Sequence, residues 1–273
     1  MISKSNVSKP DYMKQLILGK IKQYTVPDGI TEILPYTFYR CGYNNFVGRV
    51  FTGTVINLPD SITTIGTMAF SGGPHAFGGT VVNVLHTIPH IPSNLTSIGD
   101  NPFNYCEFPN GFIIPSSLVF QSLPGQGAIY SDLIEIHGGI KELPNGCFTN
   151  SRVKTVILHN GVEKLNRNPF GRNTILQTAY LPNSIIYTDT NSNYMPFYGC
   201  TNLEFVTLEQ GFNASINLSN STKYSRDTIL GWFGALYDRT GLATNTLTIG
   251  STNLAKMTAE DIAIATAKNW TIA

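Results

Sequence analysis

The chain has 273 residues, enough for one large or two small domains, and only 13% of them are charged against about a quarter in ordinary soluble domains. With a net charge of +1 and Lys and Arg scattered, no basic stripe favours nucleic acid. No apolar run reaches the roughly 18 residues of a membrane span, and the opening MISKSNVSKPDYMKQLILGK holds no apolar core of signal-peptide length, so neither membrane insertion nor a leader is expected. Asn, Thr, Ser, Gly and Tyr replace the missing charge, a surface chemistry common on extracellular and virion proteins.

Residues 1–12 read as an N-terminal arm. From residue 26 a phrase recurs: VPDGITEILPYTF (26–38), LPDSITTIGTMAF (58–70), IPSNLTSIGDNPF (91–103), IHGGIKELPNGCF (136–148) and LHNGVEKLNRNPF (158–170). Each copy ends in an anchor Phe: Phe38, Phe70, Phe103, Phe148 and Phe170. Five positions before it stand Ile33, Ile65, Ile98, Leu143 and Leu165; eight before, Ile30, Ile62, Leu95, Ile140 and Val162; twelve before, Val26, Leu58, Ile91, Ile136 and Leu158. Every one is apolar. A sixth copy runs from Leu181 to Phe197 with a polar swelling (TDTNSN), and a seventh begins at LEFVTLEQGF (203–212).

The anchors are 32, 33, 45, 22 and 27 residues apart, which points to a unit of 22 with insertions. The gap of 45 holds a hidden unit, FIIPSSLVFQSLPGQGA (112–128), that lacks the Phe. Insertions fall at 41–53 and within 71–87. Each unit reads as a short half-buried strand, a turn, and a compact second segment. Pro27, Pro59, Pro92 and Pro182 stop the strands, since a residue without an N–H cannot continue a ladder. One unit cannot bury its apolar face alone, but stacked units bury a continuous core.

A stack needs caps. SRDTILGWFGALYDRT (225–240) is a helix candidate with Ile229, Leu230, Phe233, Leu236 and Tyr237 on one side. A second helix is expected to open at Thr258 as N-cap and to end near Lys268, with Trp270 plugging the terminal core. The expected organisation is an arm at 1–12, a repeat stack over 13–212, and a capping region over 213–273.

The phrases resemble the BspA-like, or Treponema-type, leucine-rich repeats, whose consensus approximates LPxxVTSIGxxAFxxC; Ser61–Phe70 is the nearest copy. The C-terminal stretch Leu247–Trp270 is similar to the closing segment of many such proteins from gut bacteria and their phages, with Asn269 where a Gly usually precedes the Trp. Asn tolerates the left-handed backbone that a helix stop needs. The resemblance implies an α/β leucine-rich-repeat solenoid, a right-handed superhelix of short parallel strands with turns or 3-10 segments and a helical C-terminal cap. It also implies a scaffold of the kind that serves adhesion, host recognition and virion architecture.

Chemistry-bearing residues are absorbed by the repeat. Cys41, Cys106 and Cys200 each sit three residues after an anchor Phe, and Cys147 takes the small position before Phe148, so all four are expected to be free and buried. His86 and His90 have i, i+4 spacing, but Pro89 lies between them, so no metal is expected there; His137 and His159 hold the turn position that Pro holds elsewhere. There is no GxSxG, phosphate loop or HExxH, so neither an enzyme nor a cofactor is expected. The expected role is a virion-surface component contacting a host surface or neighbouring subunits, with a bacterial surface adhesin or secreted module as the alternative. The expected partners are a host protein or surface glycan, or other virion subunits.

The candidate contact surface is the outward strand residue of each unit: Thr25, Asn57, His90, Glu135, Ile157 and Tyr180, with Thr207 equivalent in the last. Tyr43, Phe46, Phe77, Tyr187 and Tyr194 are expected to add aromatic margins from the insertions at 41–53, 71–87 and 187–195.

Overall fold

Apolar residues at alternating positions make short strands, and identical positions in successive copies pair in parallel register. The computed structural model describes residues 22–39, 54–77, 80–84 and 86–273, with backbone alone for 73–77, 80–84 and Ser122. The N-terminal arm, Cys41, Tyr43 and Phe46 lie outside the described residues. The chain divides into two compact units, the first comprising residues 1–118 and 126–131, the second 119–125 and 132–273.

In the first unit, Gln23–Thr25, Val55–Asn57, His86–Thr87, Cys106–Glu107 and Ile129–Tyr130 form one parallel sheet. Tyr24 pairs with Ile56 and Thr25 with Asn57. A second sheet joins Glu32–Ile33, Thr64–Ile65 and Ser97–Ile98, bringing the three Ile residues five before the anchor into one column. The second unit repeats the plan. Leu133–Ile136, Thr155–Leu158, Thr178–Leu181 and Phe205–Leu208 pair in order, as do Phe120–Ser122, Ile140–Leu143, Lys164–Leu165 and Tyr187–Thr188. The compact second segment is therefore itself a strand, and no 3-10 segment occurs among the described residues. A 3-10 turn would satisfy its backbone locally, whereas extension lets each copy bond to the next (Gly66 N–H to Ile33 C=O, Gly99 N–H to Ile65 C=O, both 2.8 Å).

The anchor turn is the third side of each repeat. The residue two before the anchor is left-handed in five copies: Tyr36 (φ 61°), Met68 (51°), Asn101 (48°), Gly146 (64°) and Asn168 (50°). That kink aims the anchor N–H at the next copy, where Phe38, Phe70, Phe148 and Phe170 bond to the carbonyls of Ala69, Pro102, Pro169 and Pro196 at 2.7–3.1 Å. The rings follow. Phe38, Phe70 and Phe103 stack with centroids 5.2 and 5.6 Å apart in the first unit, and Phe148, Phe170 and Phe197 at 5.6 and 5.7 Å in the second. All six are at most 1% exposed.

The anchor's own carbonyl also faces the core and needs a donor. The Cys106 thiol donates to Phe70 O (3.2 Å) and the Cys200 thiol to Phe170 O (3.1 Å). The Asn173 amide serves both Phe148 O and Phe170 O (3.1 and 2.8 Å). In the first unit the buried His86 ring lies against the Phe38 backbone without a hydrogen bond of good geometry, and burial pushes its pKa down to about 4, so it is neutral. The cysteine column is thus a donor column as well as a small-residue one. Cys106, Cys147 and Cys200 are free, and burial raises each thiol above its ordinary value, Cys200 to about 12.

The insertion at 71–87 folds as an antiparallel hairpin, Gly73–Phe77 with Thr80–Val84, where a loop was expected. The alternating, β-branched TVVNV favours a strand.

Residues 213–273 pack within the second unit as three helices and a further parallel sheet of Ile216–Asn217, Asn245–Thr248 and Trp270–Ile272. Helix α1 (Arg226–Ala235) is capped by Ser225 and buries Ile229, Trp232 and Phe233; Trp232 donates to Val206 O. Tyr237, expected on its buried side, lies past the helix and is 45% exposed. Helices α2 (Ser251–Leu254) and α3 (Ala259–Thr266) follow. Thr258 and Asp261 form a reciprocal capping box on α3. Asn269 is left-handed (φ 61°) and Trp270 is 2% exposed, bonded to Tyr237 O at 2.9 Å. Two contacts tie α3 to α1. Arg226 grips Asp261 through its guanidinium Nε and Nη2 (2.9 and 2.5 Å), and the Lys268 ammonium donates to Phe233, Gly234 and Leu236 carbonyls at the α1 C-terminus. No helix among the described residues is long and apolar enough to cross a membrane.

Three outcomes are expected. Phe70→Ala removes a ring stacked on both sides and should cost about 3–5 kcal/mol in chemical denaturation; a loss near zero would mean the ring column does not bear on stability. Cys106, Cys147 and Cys200 should resist a thiol reagent in the native chain and react on unfolding, because a raised pKa leaves almost no thiolate at neutral pH. Fast native labelling of two or more thiols would contradict this. The Arg226 guanidinium holds the Asp261 carboxyl below its ordinary value, so its contribution is present above about pH 4 and lost as pH falls through the depressed value. Asp261→Asn should lower the melting temperature at neutral pH, with the gap to wild type closing in acid.

Candidate functional site

The pleat that turns Ile134 and Ile136 inward turns Glu135 outward, and the same holds for each strand of the second unit. Glu135 pairs with Ile157, Ile157 with Tyr180, and Tyr180 with Thr207. These four expected contact residues form one continuous ridge. Beside them runs a second outward column, Leu133, Thr155, Thr178 and Phe205. Tyr180 and Phe205 are 44% and 55% exposed, so the face carries two open aromatic rings. A shallow depression of about 280 Å³ lies against the ridge, bordered by Ile157, His159, Tyr180, Pro182, Thr207 and Glu209. Glu209 is oriented by the Asn183 N–H (2.9 Å) and the Asn160 amide (3.3 Å).

The sequence-derived contact set does not assemble as a whole. In the first unit Thr25 and Asn57 pair, with an Asn57 amide to Thr25 hydroxyl bond of 3.2 Å. His90 is exposed but lies past the strand His86–Thr87, in the turn that Pro89 enforces, so it is not a ridge residue. Phe77 is on the hairpin strand Gly73–Phe77. Tyr187 belongs to the second sheet, where it pairs with Lys164, and Tyr194 sits under the Arg167 guanidinium at 4.5 Å. Both are therefore on the second-sheet side rather than at the margin of the ridge. Phe205, which the sequence reading left out, is legible in hindsight as the residue two before Thr207 on the same strand face.

One cluster was not anticipated. Glu135 and His137 are two apart, and His159 follows His137 by one 22-residue unit. Parallel pairing of Ile136 with Leu158 carries the next residues into line, so the His137 and His159 rings stack with centroids 4.4 Å apart and planes 7° from parallel. Glu135 Oε1 lies 2.7 Å from His159 Nε2 and 3.5 Å from His137 Nε2. The repeat length was the signal: a shared offset from the anchor Phe puts two residues in one column.

No curated protein matches the chain. Among solved structures it is similar to a leucine-rich cell-surface protein from Faecalibacterium prausnitzii A2-165, at 18% identity over 79% of this chain and 62% of that one, with a TM-score of 0.28. It is also similar to a leucine-rich-repeat protein from Bacteroides ovatus ATCC 8483, at 16% identity over 82% of this chain and 60% of that one, with a TM-score of 0.34. The chain thus spans less than two thirds of the length of either. The profile described as "BspA type Leucine rich repeat region" matches in six copies over residues 52–122 and 127–223, more than half of the sequence, so the chain belongs to the BspA-type leucine-rich-repeat family.

Proposed function

We propose that the chain is a non-enzymatic binding scaffold whose contact surface is the outward face of the first sheet in the second unit. The ridge Glu135–Ile157–Tyr180–Thr207 with Phe205 in the column beside it carries this reading, because together they set two half-open aromatic rings, Tyr180 and Phe205, on one sheet face next to a concavity. Rigid rings give contact area at low entropy cost, and the carboxylates of Glu135 and Glu209 flank them as acceptors for hydroxyl or amine groups. A protein or a surface glycan of a host, or a neighbouring subunit, suits that chemistry. The setting we propose is the surface of a phage virion, supported by the low charged fraction and by the resemblance of Leu247–Trp270 to closing segments of phage and gut-bacterial repeat proteins.

Two measurements test the proposal. The double variant Tyr180→Ser, Phe205→Ser should weaken binding to surface glycans on an array, or to purified particles, by about tenfold or more with the melting temperature nearly unchanged. Unaltered binding would remove the ridge from the reading, and a large loss of stability would make the rings structural. Mass spectrometry of purified particles against bacterial surface fractions addresses the setting. Recovery from the bacterial surface alone replaces the virion with the alternative, a cell-surface adhesin or secreted interaction module.

A further inference from the structure

We propose that Glu135, His137 and His159 form a binding site for a transition-metal ion of the zinc class. The inference does not rest on the ridge's being a contact surface. It rests on three ligand atoms, Glu135 Oε1, His137 Nε2 and His159 Nε2, that all lie within 4.8 Å of one another. Tetrahedral coordination with bonds of about 2.0–2.1 Å places neighbouring ligand atoms about 3.3 Å apart. The two carboxylate–imidazole separations, 2.7 and 3.5 Å, already bracket that value. An ion would replace the Glu135–His159 hydrogen bond, opening that pair slightly, and would draw in the two imidazole nitrogens, which lie within 4.8 Å of each other.

The backbone supplies the preorganisation. Glu135 lies on the strand and His137 directly follows its last residue, Ile136, and His159 is held beside His137 by the bond from its own N–H to Ile136 O (3.0 Å). Side chains 20%, 35% and 42% exposed for Glu135, His137 and His159 let an ion enter without opening the fold. That exposure also leaves a coordination position for water or for a donor from a bound molecule. Two imidazoles and one carboxylate select zinc, cobalt, nickel or copper over magnesium and calcium, which prefer all-oxygen sets.

The test uses the untagged full chain after chelator treatment. Calorimetric titration with zinc should give one ion per chain, and cobalt should develop the visible absorption of a nitrogen- and oxygen-ligated site, neither displaced by millimolar calcium or magnesium. His137→Ala and His159→Ala should each weaken zinc binding by about tenfold or more, and Glu135→Gln, which keeps size and hydrogen bonding but loses the charge, should also weaken it. His90→Ala should leave it unchanged. Melting curves without metal distinguish lost ligation from lost fold, since a folded variant that no longer binds supports the site. Substoichiometric uptake by the wild-type chain, or affinity unaltered in the folded His137→Ala, His159→Ala double variant, would overturn the proposal and leave the cluster a hydrogen-bonded pair of rings.

Discussion

Everything in this chain depends on one constraint: successive copies must pair in parallel with the same residue over the same residue. A single copy has too few apolar side chains to leave water, and its strands of two to four residues have no stability alone. In register, each inward position becomes a column, as with Ile33, Ile65 and Ile98, and the anchor rings stack on one another, Phe70 and Phe170 on both faces. Ring separations of 5.2–5.7 Å sit close to the strand repeat of about 4.8 Å, so stacking and strand pairing reinforce each other.

The same register creates a difficulty at the anchor turn. Turning the chain so that the Phe N–H reaches the next copy leaves the Phe carbonyl facing the core, where an unpaired oxygen is costly. Cys106, Asn173 and Cys200 answer it with donors from one shared position, three residues after their own anchors Phe103, Phe170 and Phe197. A thiol is a weak donor but adds almost no volume, and an amide is a stronger donor that needs more room and further partners. His86 is the bulkiest group set against an anchor backbone, and its low pKa reflects the cost of charging it there.

The fold was legible because the rules that build it are periodic. Inward columns, strand stops at proline, buried cysteines, the Thr258 cap and the left-handed Asn269 each follow from residue type at a fixed offset. What escaped reading had no side-chain signature. The left-handed residue two before the anchor is Tyr, Met, Asn or Gly, because an inter-repeat hydrogen bond rather than residue preference holds it there. The cysteine column was legible as small and buried, but its donor role is a matter of where a carbonyl points. All four residues of the outward ridge, Glu135, Ile157, Tyr180 and Thr207, followed from pleating, while His90 is off it because the strand stops at Thr87, ahead of Pro89, and Tyr187 because the second segment is a strand of its own.

Periodicity also explains where distinct chemistry can reside. An inward column tolerates only what fits between two identical neighbours, so changes there are costly and the copies stay alike. An outward column carries no such demand, and Glu135, Ile157, Tyr180 and Thr207 share neither charge nor size. Yet the register still aligns equivalent positions, so His137 and His159 become neighbours as soon as both copies hold a histidine. Insertions change the length of chain between columns. Where 71–87 intervenes after Phe70, a hairpin precedes the next first-sheet strand, whereas only six residues separate Phe148 from Thr155. Gln23 and Thr25 in the first unit are as open as Tyr180 and Phe205 in the second, so the aromatic ridge and the Glu–His–His cluster follow from which residues occupy the columns.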